Sequence, residues 1–214
     1  MKKKHPIAVL IEQGEHQQLD FKFEVSDSKK IARTLSAFAN TDGGRLLIGV
    51  KDNGVIAGVR SEEEYYMIEA ASNMYTRPPV PFEAKRWDIQ GKTVLEVYIA
   101  PSPEKPHAAP DKEDHYKAYI RVADENILAN EVLILSWQKK NKPDGTLLKI
   151  SKPVERLFNW LDTHADISIN QFCRIAHINY YTARNILSDL MAINALQYGV
   201  VDKRIIYRRS PSTD

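Results

Sequence analysis

The sequence has few of the features that mark exported, membrane-spanning or disulfide-linked proteins. Its 214 residues include one cysteine, so no internal disulfide can form, and this suits a reducing compartment. No apolar run approaches the roughly 20 residues that a transmembrane helix needs. The basic start is followed only by the short apolar stretch Ile7 to Ile11 before Glu12, about half the apolar region of a signal peptide. We therefore predict a cytoplasmic protein without membrane contact.

Neither sign of charge dominates the chain, because the formal net charge is +2. The charges are unevenly placed, however. Residues 139–214 carry 12 Lys and Arg against 7 Asp and Glu, a net of +5, whereas residues 1–138 carry 18 against 21, a net of −3. A basic segment on a mildly acidic body is a weak indication of nucleic-acid contact, and it is also typical of a solvated surface.

A stretch with turn-forming residues divides the chain into two predicted domains. The stretch 141–152 contains a Pro-Asp-Gly turn signal and little amphipathic order, which is typical of a linker. Upstream, residues 1–140 mix predicted strands and helices, so we expect an α+β domain with a mixed sheet. Downstream, residues 153–214 form a second, smaller domain.

The first domain begins with an alternating strand and an amphipathic helix. Leu19 to Glu24 alternates apolar and polar residues, which predicts a strand. Ser26 or Asp27 can cap the following helix, and Gly43-Gly44 end it. The run "RLLIGV" predicts a buried strand, and "DNG", Asp52 to Gly54, predicts a tight hairpin turn into "VIAGV".

The second domain has the parts of a winged helix-turn-helix. An amphipathic helix, a short helix with a Ser168 cap, a longer helix and a basic hairpin follow one another. In that arrangement the third helix enters the major groove and the wing lies on the DNA backbone. The alternative is a domain for dimerisation or protein contact. The candidate nucleic-acid contacts are Tyr180, Tyr181, Thr182, Arg184 and Asn185 on the helix and Lys203, Arg204, Arg208 and Arg209 on the wing.

Acidic residues at strand ends of the first domain suggest a second kind of site. Asp20 and Lys22 share the polar face of the first strand, Glu15 precedes it, and Asp52 follows the "RLLIGV" strand. Three converging carboxylates could hold Mg²⁺ or Mn²⁺, and the ion could activate water at a phosphate while Lys22 neutralises charge. The alternative is that these residues are ordinary acids of strand edges and turns.

Three segments resemble the Schlafen AlbA-like domain, in the same order: "GEHQQLDFKFE", "LSAFANTDGGRLLIGVKDNG" and "AYIRVADEN". The resemblance covers about residues 10–135 and implies a nucleic-acid-binding domain, which often precedes a winged helix in bacterial transcriptional regulators. In animal relatives the domain is similar to a metal-dependent RNase with an acidic triad. By motif that triad falls on Glu15, Asp20 and Asp52, with Asp20 where the family usually has Glu. Animal relatives pair two such lobes, which implies a homodimer here.

Several further residues have alternative interpretations. Asp20-x-Lys22 also fits the catalytic strand of restriction-like nucleases, but the second acid then precedes this strand, whereas Asp52 follows it. Arg121 is predicted on the polar edge near Asp20, where it pairs with a carboxylate or contacts a phosphate. His107 and His115 lack metal-ligand spacing and are predicted to be solvated.

The sequence thus predicts a DNA-binding transcriptional regulator that needs no cofactor, with DNA or RNA as its partner and a homodimer as its assembly. The first alternative is an endoribonuclease that uses Mg²⁺ or Mn²⁺ at Glu15, Asp20 and Asp52, with Lys22 beside them. The second alternative is a protein-interaction module.

Overall fold

The structure is a computed structural model that describes residues 4–142 and 150–211. The chain forms two compact units, Met1–Leu128 and Ala129–Asp214. Most of the predicted linker lies outside the described residues. No helix within the described ranges is long and apolar enough to cross a membrane.

The first unit mixes helices and strands, which confirms the predicted α+β class. Its elements are α1 (Pro6–Ile11), β1 (Leu19–Lys22), α2 (Ser28–Asn40), β2 (Gly44–Ile48), α3 (Glu63–Tyr75), β3 (Glu83–Ile89), β4 (Lys92–Ile99), β5 (Ala108–Pro110), β6 (Tyr116–Val122) and β7 (Glu125–Leu128). Asp27 caps α2 by accepting hydrogen bonds from the backbone N–H groups of Lys29 and Lys30 at 2.8 and 3.3 Å, so the predicted cap forms.

Two sheets organise this unit. The larger has the order β1-β2-β4-β3, with β1 parallel to β2 and the other pairs antiparallel. The smaller is antiparallel, with the order β5-β6-β7. The larger sheet is therefore mixed, as predicted, and β1 is one of its edge strands.

Apolar side chains bury both faces of the larger sheet. On one face, α2 and α3 contribute to a core that includes Leu35, Phe38, Leu46, Ile68, Leu95 and Val97. On the other, α1 contributes to a second core that includes Ile7, Leu19, Phe21, Leu47 and Val94. The short helix α1 was not predicted.

The paired glycines after α2 are required by close packing. Gly43 has φ +70°, and a Cβ there would lie 2.6 Å from the carbonyl oxygen of Ile99. A Cβ on Gly44 would lie 2.5 Å from the Phe38 ring. The helix end and a close backbone approach explain both residues.

The predicted tight turn after β2 forms, because the Gly54 N–H donates to the Lys51 carbonyl at 2.7 Å and the Lys51 N–H donates to the Val55 carbonyl at 3.0 Å. The predicted second strand does not form: the segment makes one isolated antiparallel bridge, Val50 with Ile56, and then turns so that Ala57 and Gly58 both donate to the carbonyl oxygen of Gly49. The strand β2 pairs with β1 and β4 and not with the segment that follows it.

In its described residues, the second unit has four helices and a hairpin: α4 (Glu131–Lys140), α5 (Lys152–Leu161), α6 (Ile169–Ala176), α7 (Tyr180–Ala192), β8 (Leu196–Val201) and β9 (Arg204–Arg209). The strands β8 and β9 are antiparallel, and Ile167 forms a bridge with Tyr207 of β9. The core includes Leu157, Phe172, Leu187, Leu190 and Tyr207.

Helix α4 belongs to this second unit, whereas the sequence placed residues up to 140 in the first domain. Val132 of α4 is part of the second unit's core. Lys139 and Asp189 of α7 form an ion pair at 2.6 Å, and Asn130, the N-cap of α4, donates to the Tyr207 hydroxyl at 2.8 Å. The division between the compact units therefore falls at residues 128 and 129.

Candidate functional site

On the side of β1 that faces away from β2, hydrogen bonds from neighbouring residues satisfy the backbone groups of the strand. Leu19 and Phe21 direct their backbone polar groups away from β2, and an unpaired buried group of this kind is costly. A Glu15 carboxylate oxygen accepts the Phe21 N–H at 2.8 Å, and the Lys22 ammonium donates to the Phe21 carbonyl at 2.7 Å. The backbone N–H of His16 donates to the Leu19 carbonyl at 2.9 Å. Glu15 thus has a structural role at this edge.

Asp20 lies at the centre of a charged cluster. It is only 3% exposed, and its Oδ1 is 3.0 Å from Nη2 of Arg121. Its Oδ2 is 2.9 Å from Nζ of Lys22, although this contact lacks hydrogen-bond geometry. Such a buried carboxylate needs its cationic partners, because an isolated buried charge is strongly disfavoured.

Arg121 is the partner that holds Asp20, and it is itself 2% exposed. Its Nη1 donates to Asn126 at 3.1 Å, and its guanidinium lies 5.2 Å from the centroid of the Phe38 ring. Of the two predicted roles, the structure shows the pairing with a carboxylate. The assignment of Arg121 as a nucleic-acid contact is corrected, because a buried guanidinium cannot reach a phosphate.

Glu15 lies close enough to Asp20 for their charges to interact. The pKa of Glu15 is raised above its ordinary value, chiefly by burial. A hydrogen bond with Asp20 and the charge of Asp20 raise it further, whereas the Phe21 N–H and the charge of Lys22 lower it. Two carboxylates and an ammonium are thus assembled at one strand edge. A divalent cation there would be held by Glu15 and Asp20 and would lower the pKa of Glu15 in turn.

Asp52 is exposed in the turn after β2. In the described residues, the ligand atoms of Glu15, Asp20 and Asp52 do not all lie within 4.8 Å of one another. The three residues that meet this distance are Asp111, Glu113 and His115. Asp111 accepts the backbone N–H groups of Glu113 and His115, both at 2.9 Å, which explains that cluster as a turn.

The predicted contacts on α7 divide by exposure. Tyr180 and Tyr181, in the first turn, are 46% and 64% exposed, whereas Thr182 and Asn185 are half-buried. Arg184 is also half-buried. It donates to Glu131 at 2.8 Å, and its guanidinium lies 4.7 Å from the Tyr181 ring centroid.

The predicted wing cations include two that form ion pairs with carboxylates of the second unit. Arg209 pairs with Asp162 at 2.5 Å and Arg208 with Asp166 at 3.4 Å. Lys203 and Arg204 lie at the tip of the hairpin and are exposed.

Sequence reasoning missed a groove of about 1010 Å³ on the α1 face of the larger sheet. Its polar groups largely satisfy one another: Glu96 accepts from Arg45 Nε at 2.8 Å and from Trp87 Nε1 at 2.7 Å. Lys85 lies over the Trp87 ring, 3.7 Å from its centroid. The signal in the sequence is the placing of charged or aromatic residues at every second position, at Glu83, Lys85 and Trp87 in β3 and at Glu96 and Tyr98 in β4.

The fold and the site define the first unit as a mixed-sheet α+β domain with an acidic cluster at an edge strand. The family model described as "Schlafen, AlbA_2" matches residues 15–130, more than half of the chain. The chain belongs to this Schlafen AlbA_2 family, in agreement with the resemblance seen in the sequence. The family points to a nucleic-acid-related function.

Two solved structures are similar to parts of this chain. The DIP2311 protein from Corynebacterium diphtheriae is 20% identical, with a TM-score of 0.46 over 67% of this chain and 29% of that chain. The N-terminal domain of a protein described as related to the ATP-dependent DNA helicase RecG, from Nitrosomonas europaea, is 22% identical, with a TM-score of 0.37 over 56% of this chain and 89% of that chain. At these TM-scores neither similarity establishes a shared overall fold. A search of curated proteins found no match.

Proposed function

We propose that this protein binds DNA through its second unit, as a winged helix-turn-helix, and acts as a transcriptional regulator. The observation that carries the proposal is the pair α6 and α7, joined by the three residues His177 to Asn179. A turn of this length is characteristic of helix-turn-helix motifs. His177 has φ 54°, which ends α6, and the Asn179 side chain caps α7 by accepting the Thr182 N–H at 2.8 Å.

The exposed start of α7 supports this role. Recognition helices contact base edges with residues of their N-terminal part. Tyr180 and Tyr181 present exposed rings there, and the Arg184 guanidinium lies 4.7 Å from the Tyr181 ring centroid. Their phenol groups can donate to phosphate or base acceptors.

The hairpin supports the same proposal. The strands β8 and β9 are joined by Asp202-Lys203, which both have positive φ values of 49° and 60°, as a tight two-residue hairpin turn requires. The Ile167–Tyr207 bridge adds a third short strand segment beside the hairpin. Arg204 follows the turn directly, where a wing would meet the DNA backbone. The predicted homodimer is part of the proposal, because it would place two such units on one duplex.

Matched substitutions test the proposal. We expect Tyr181→Ala and Arg204→Ala each to weaken the binding of a labelled DNA duplex by roughly fivefold or more, since a base or phosphate contact is worth about 1–3 kcal/mol. Tyr66→Ala is the matched control, because Tyr66 is 61% exposed on α3 of the first unit. The readout is the dissociation constant from fluorescence anisotropy. Unchanged affinity in both variants would rule out the winged-helix assignment.

A second candidate function, a metal-dependent ribonuclease, is supported by the pairing of Glu15 and Asp20 beside Lys22. We expect cleavage to require Mn²⁺ or Mg²⁺ and to be lost in Glu15→Gln, which removes a charged ligand but keeps an oxygen that can accept the Phe21 N–H. Labelled tRNA and single-stranded RNA, run on denaturing gels with and without the ion, provide the measurement. Uncut RNA with the wild-type protein would leave DNA binding as the function.

A further inference from the structure

We propose that Phe23, Lys51 and Arg60 form a second nucleic-acid contact, specific for single strands, on the first unit. In this contact a base stacks on the Phe23 ring, and Lys51 and Arg60 neutralise the phosphates on either side. The inference rests on the proposed nucleic-acid function, but it concerns a separate surface and a different form of nucleic acid.

Phe23 is exposed because β1 ends at Lys22 and the chain bends at Phe23. Leu19 and Phe21 are buried in the core to which α1 contributes, and side chains two residues apart point to the same face of a strand. Phe23, beyond Lys22 at the end of β1, is 38% exposed. A phenylalanine ring that is partly open to water at this position is a surface on which another ring can stack.

Two cations converge on that ring. The Lys51 ammonium lies 5.5 Å from the ring centroid and the Arg60 guanidinium carbon 5.9 Å. Both residues are exposed, and contacts of this kind are worth only about 0.5–1 kcal/mol at exposed sites. A phosphate group can therefore draw the cations from the ring at little cost.

Neither cation is paired with a carboxylate in the part of the chain that the structure describes. The nearby Glu64 carboxylate is instead hydrogen-bonded to the backbone N–H groups of Arg60 and Ser61, both at 3.3 Å. Free positive charge around an aromatic ring favours an anionic ligand over an apolar partner or a second copy of this chain.

An aromatic platform flanked by cations is the combination by which proteins bind single strands, since every base has a face that can stack. Duplex DNA keeps its bases stacked on one another and offers no free face. Phe23 lies three residues after Asp20 in the chain, just beyond the end of β1.

The experiment titrates the full-length protein with a fluorescein-labelled oligothymidylate of about 15 nucleotides, close to the largest site sizes of single-strand-binding domains. We expect Phe23→Ala to weaken binding by about tenfold, because stacking contributes about 1–3 kcal/mol per base, and Phe23→Tyr to retain it. Lys51→Gln with Arg60→Gln should weaken binding and lower the slope of log K against log salt by about 0.7 for each phosphate that is no longer neutralised. Met74→Ala is the control, since Met74 is 65% exposed on α3.

A parallel titration with duplex DNA separates this inference from the proposed function. Weak single-strand binding by Phe23→Ala with unchanged duplex binding supports the second contact. Loss of duplex binding in Tyr181→Ala, with single-strand binding retained, also supports it as a separate surface. Wild-type affinity of Phe23→Ala for the oligothymidylate, or no single-strand binding by the wild-type protein, would overturn the inference and leave the duplex proposal intact.

Discussion

The guanidinium of Arg121 and the carboxylate of Asp20 form a buried ion pair, with Nη2 and Oδ1 3.0 Å apart. The pair joins β6 of the smaller sheet to the edge strand β1 of the larger one. Removing one partner of a buried pair typically costs about 3–5 kcal/mol, and without Arg121 the Asp20 carboxylate keeps only Lys22, whose Nζ lies 2.9 Å from Oδ2 without hydrogen-bond geometry. We therefore expect Arg121→Met to lower the free energy of unfolding by up to about that amount in urea denaturation.

The control is the double variant Arg121→Met with Asp20→Asn, which removes both charges. Its loss of stability should be clearly smaller than the sum of the two single losses, because neither charge is left unpaired. Strictly additive losses would show that the two side chains do not act as a pair.

Because Asp20 is paired with Arg121, Asp20→Ala is a poor test of catalysis by the acidic cluster. Asp20→Ala leaves Arg121 buried beside a cavity, so an inactive variant would not separate catalysis from folding. Glu15→Gln avoids this problem. We expect it to unfold at the same urea concentration as the wild-type protein or higher at neutral pH, because the amide cannot carry the charge that burial and Asp20 disfavour.

The stability difference between Glu15→Gln and the wild-type protein should also depend on pH. Burial, and then Asp20, raise the pKa of Glu15 above its ordinary value of 4.5. A raised pKa means that the folded protein binds this proton more tightly than the unfolded chain, so stability is lost as pH rises through the folded-state pKa. Relative to wild type, Glu15→Gln should therefore gain stability as the pH rises above the ordinary pKa of 4.5. Parallel stability curves would contradict the raised pKa.

His107 predicts a pH dependence of the opposite sign. Its Nδ1–H donates to the Pro78 carbonyl at 2.9 Å, and its Nε2 accepts from the Ser102 hydroxyl at 2.7 Å. Burial lowers its pKa below 6.5, against a raising effect of the Pro78 carbonyl. The unfolded chain therefore binds the proton more tightly, and stability falls as pH drops below about 6.5. Urea denaturation at pH 7 and pH 5 should show this fall, and His107→Gln should make it smaller. An equal fall in the variant would assign the effect to other groups.

Tyr207 links the first turn of α4 to the hairpin of the second unit. Its buried hydroxyl accepts a hydrogen bond from Asn130 Nδ2 at 2.8 Å, while Asn130 Oδ1 still accepts the Leu133 N–H at 3.1 Å. We expect Tyr207→Phe to cost about 1 kcal/mol of unfolding free energy, since the amide loses its partner but the helix cap remains. Leu128→Ala, at an exposed position, is the control for unfolding measurements. A Tyr207→Phe protein as stable as the wild type would mean that this hydrogen bond contributes nothing.

Local patterns in the sequence predicted the elements but not their partners. The alternation from Leu19 and the apolar spacing before Gly43 correctly indicated β1 and α2, because period and capping are local properties. The turn at Asp52 to Gly54 was also correct, but the strand predicted after it was wrong, since a strand pattern does not say which strand lies beside it. His107 is buried, contrary to prediction, because Asn40, 67 residues away, holds its backbone N–H and carbonyl, both at 2.8 Å.

The site was predictable to a similar extent. Spacing placed Asp20 and Lys22 on one face of a strand, and they do form an ion pair. The burial of Asp20 depends on Arg121, which is 101 residues away in sequence, and no spacing rule reports such a contact. The alternating pattern included Phe23, but it could not predict that Lys51 and Arg60, from other segments, lie beside its ring.

The most direct test of the account is a titration of labelled duplex DNA with the wild-type protein at several salt concentrations between about 50 and 200 mM. We expect log K to fall linearly with log salt, by about 0.9 for each phosphate contact, and to fall less steeply in Arg204→Ala. An affinity that is absent at low salt, or that does not change with salt, would contradict DNA binding and favour a protein-interaction module instead.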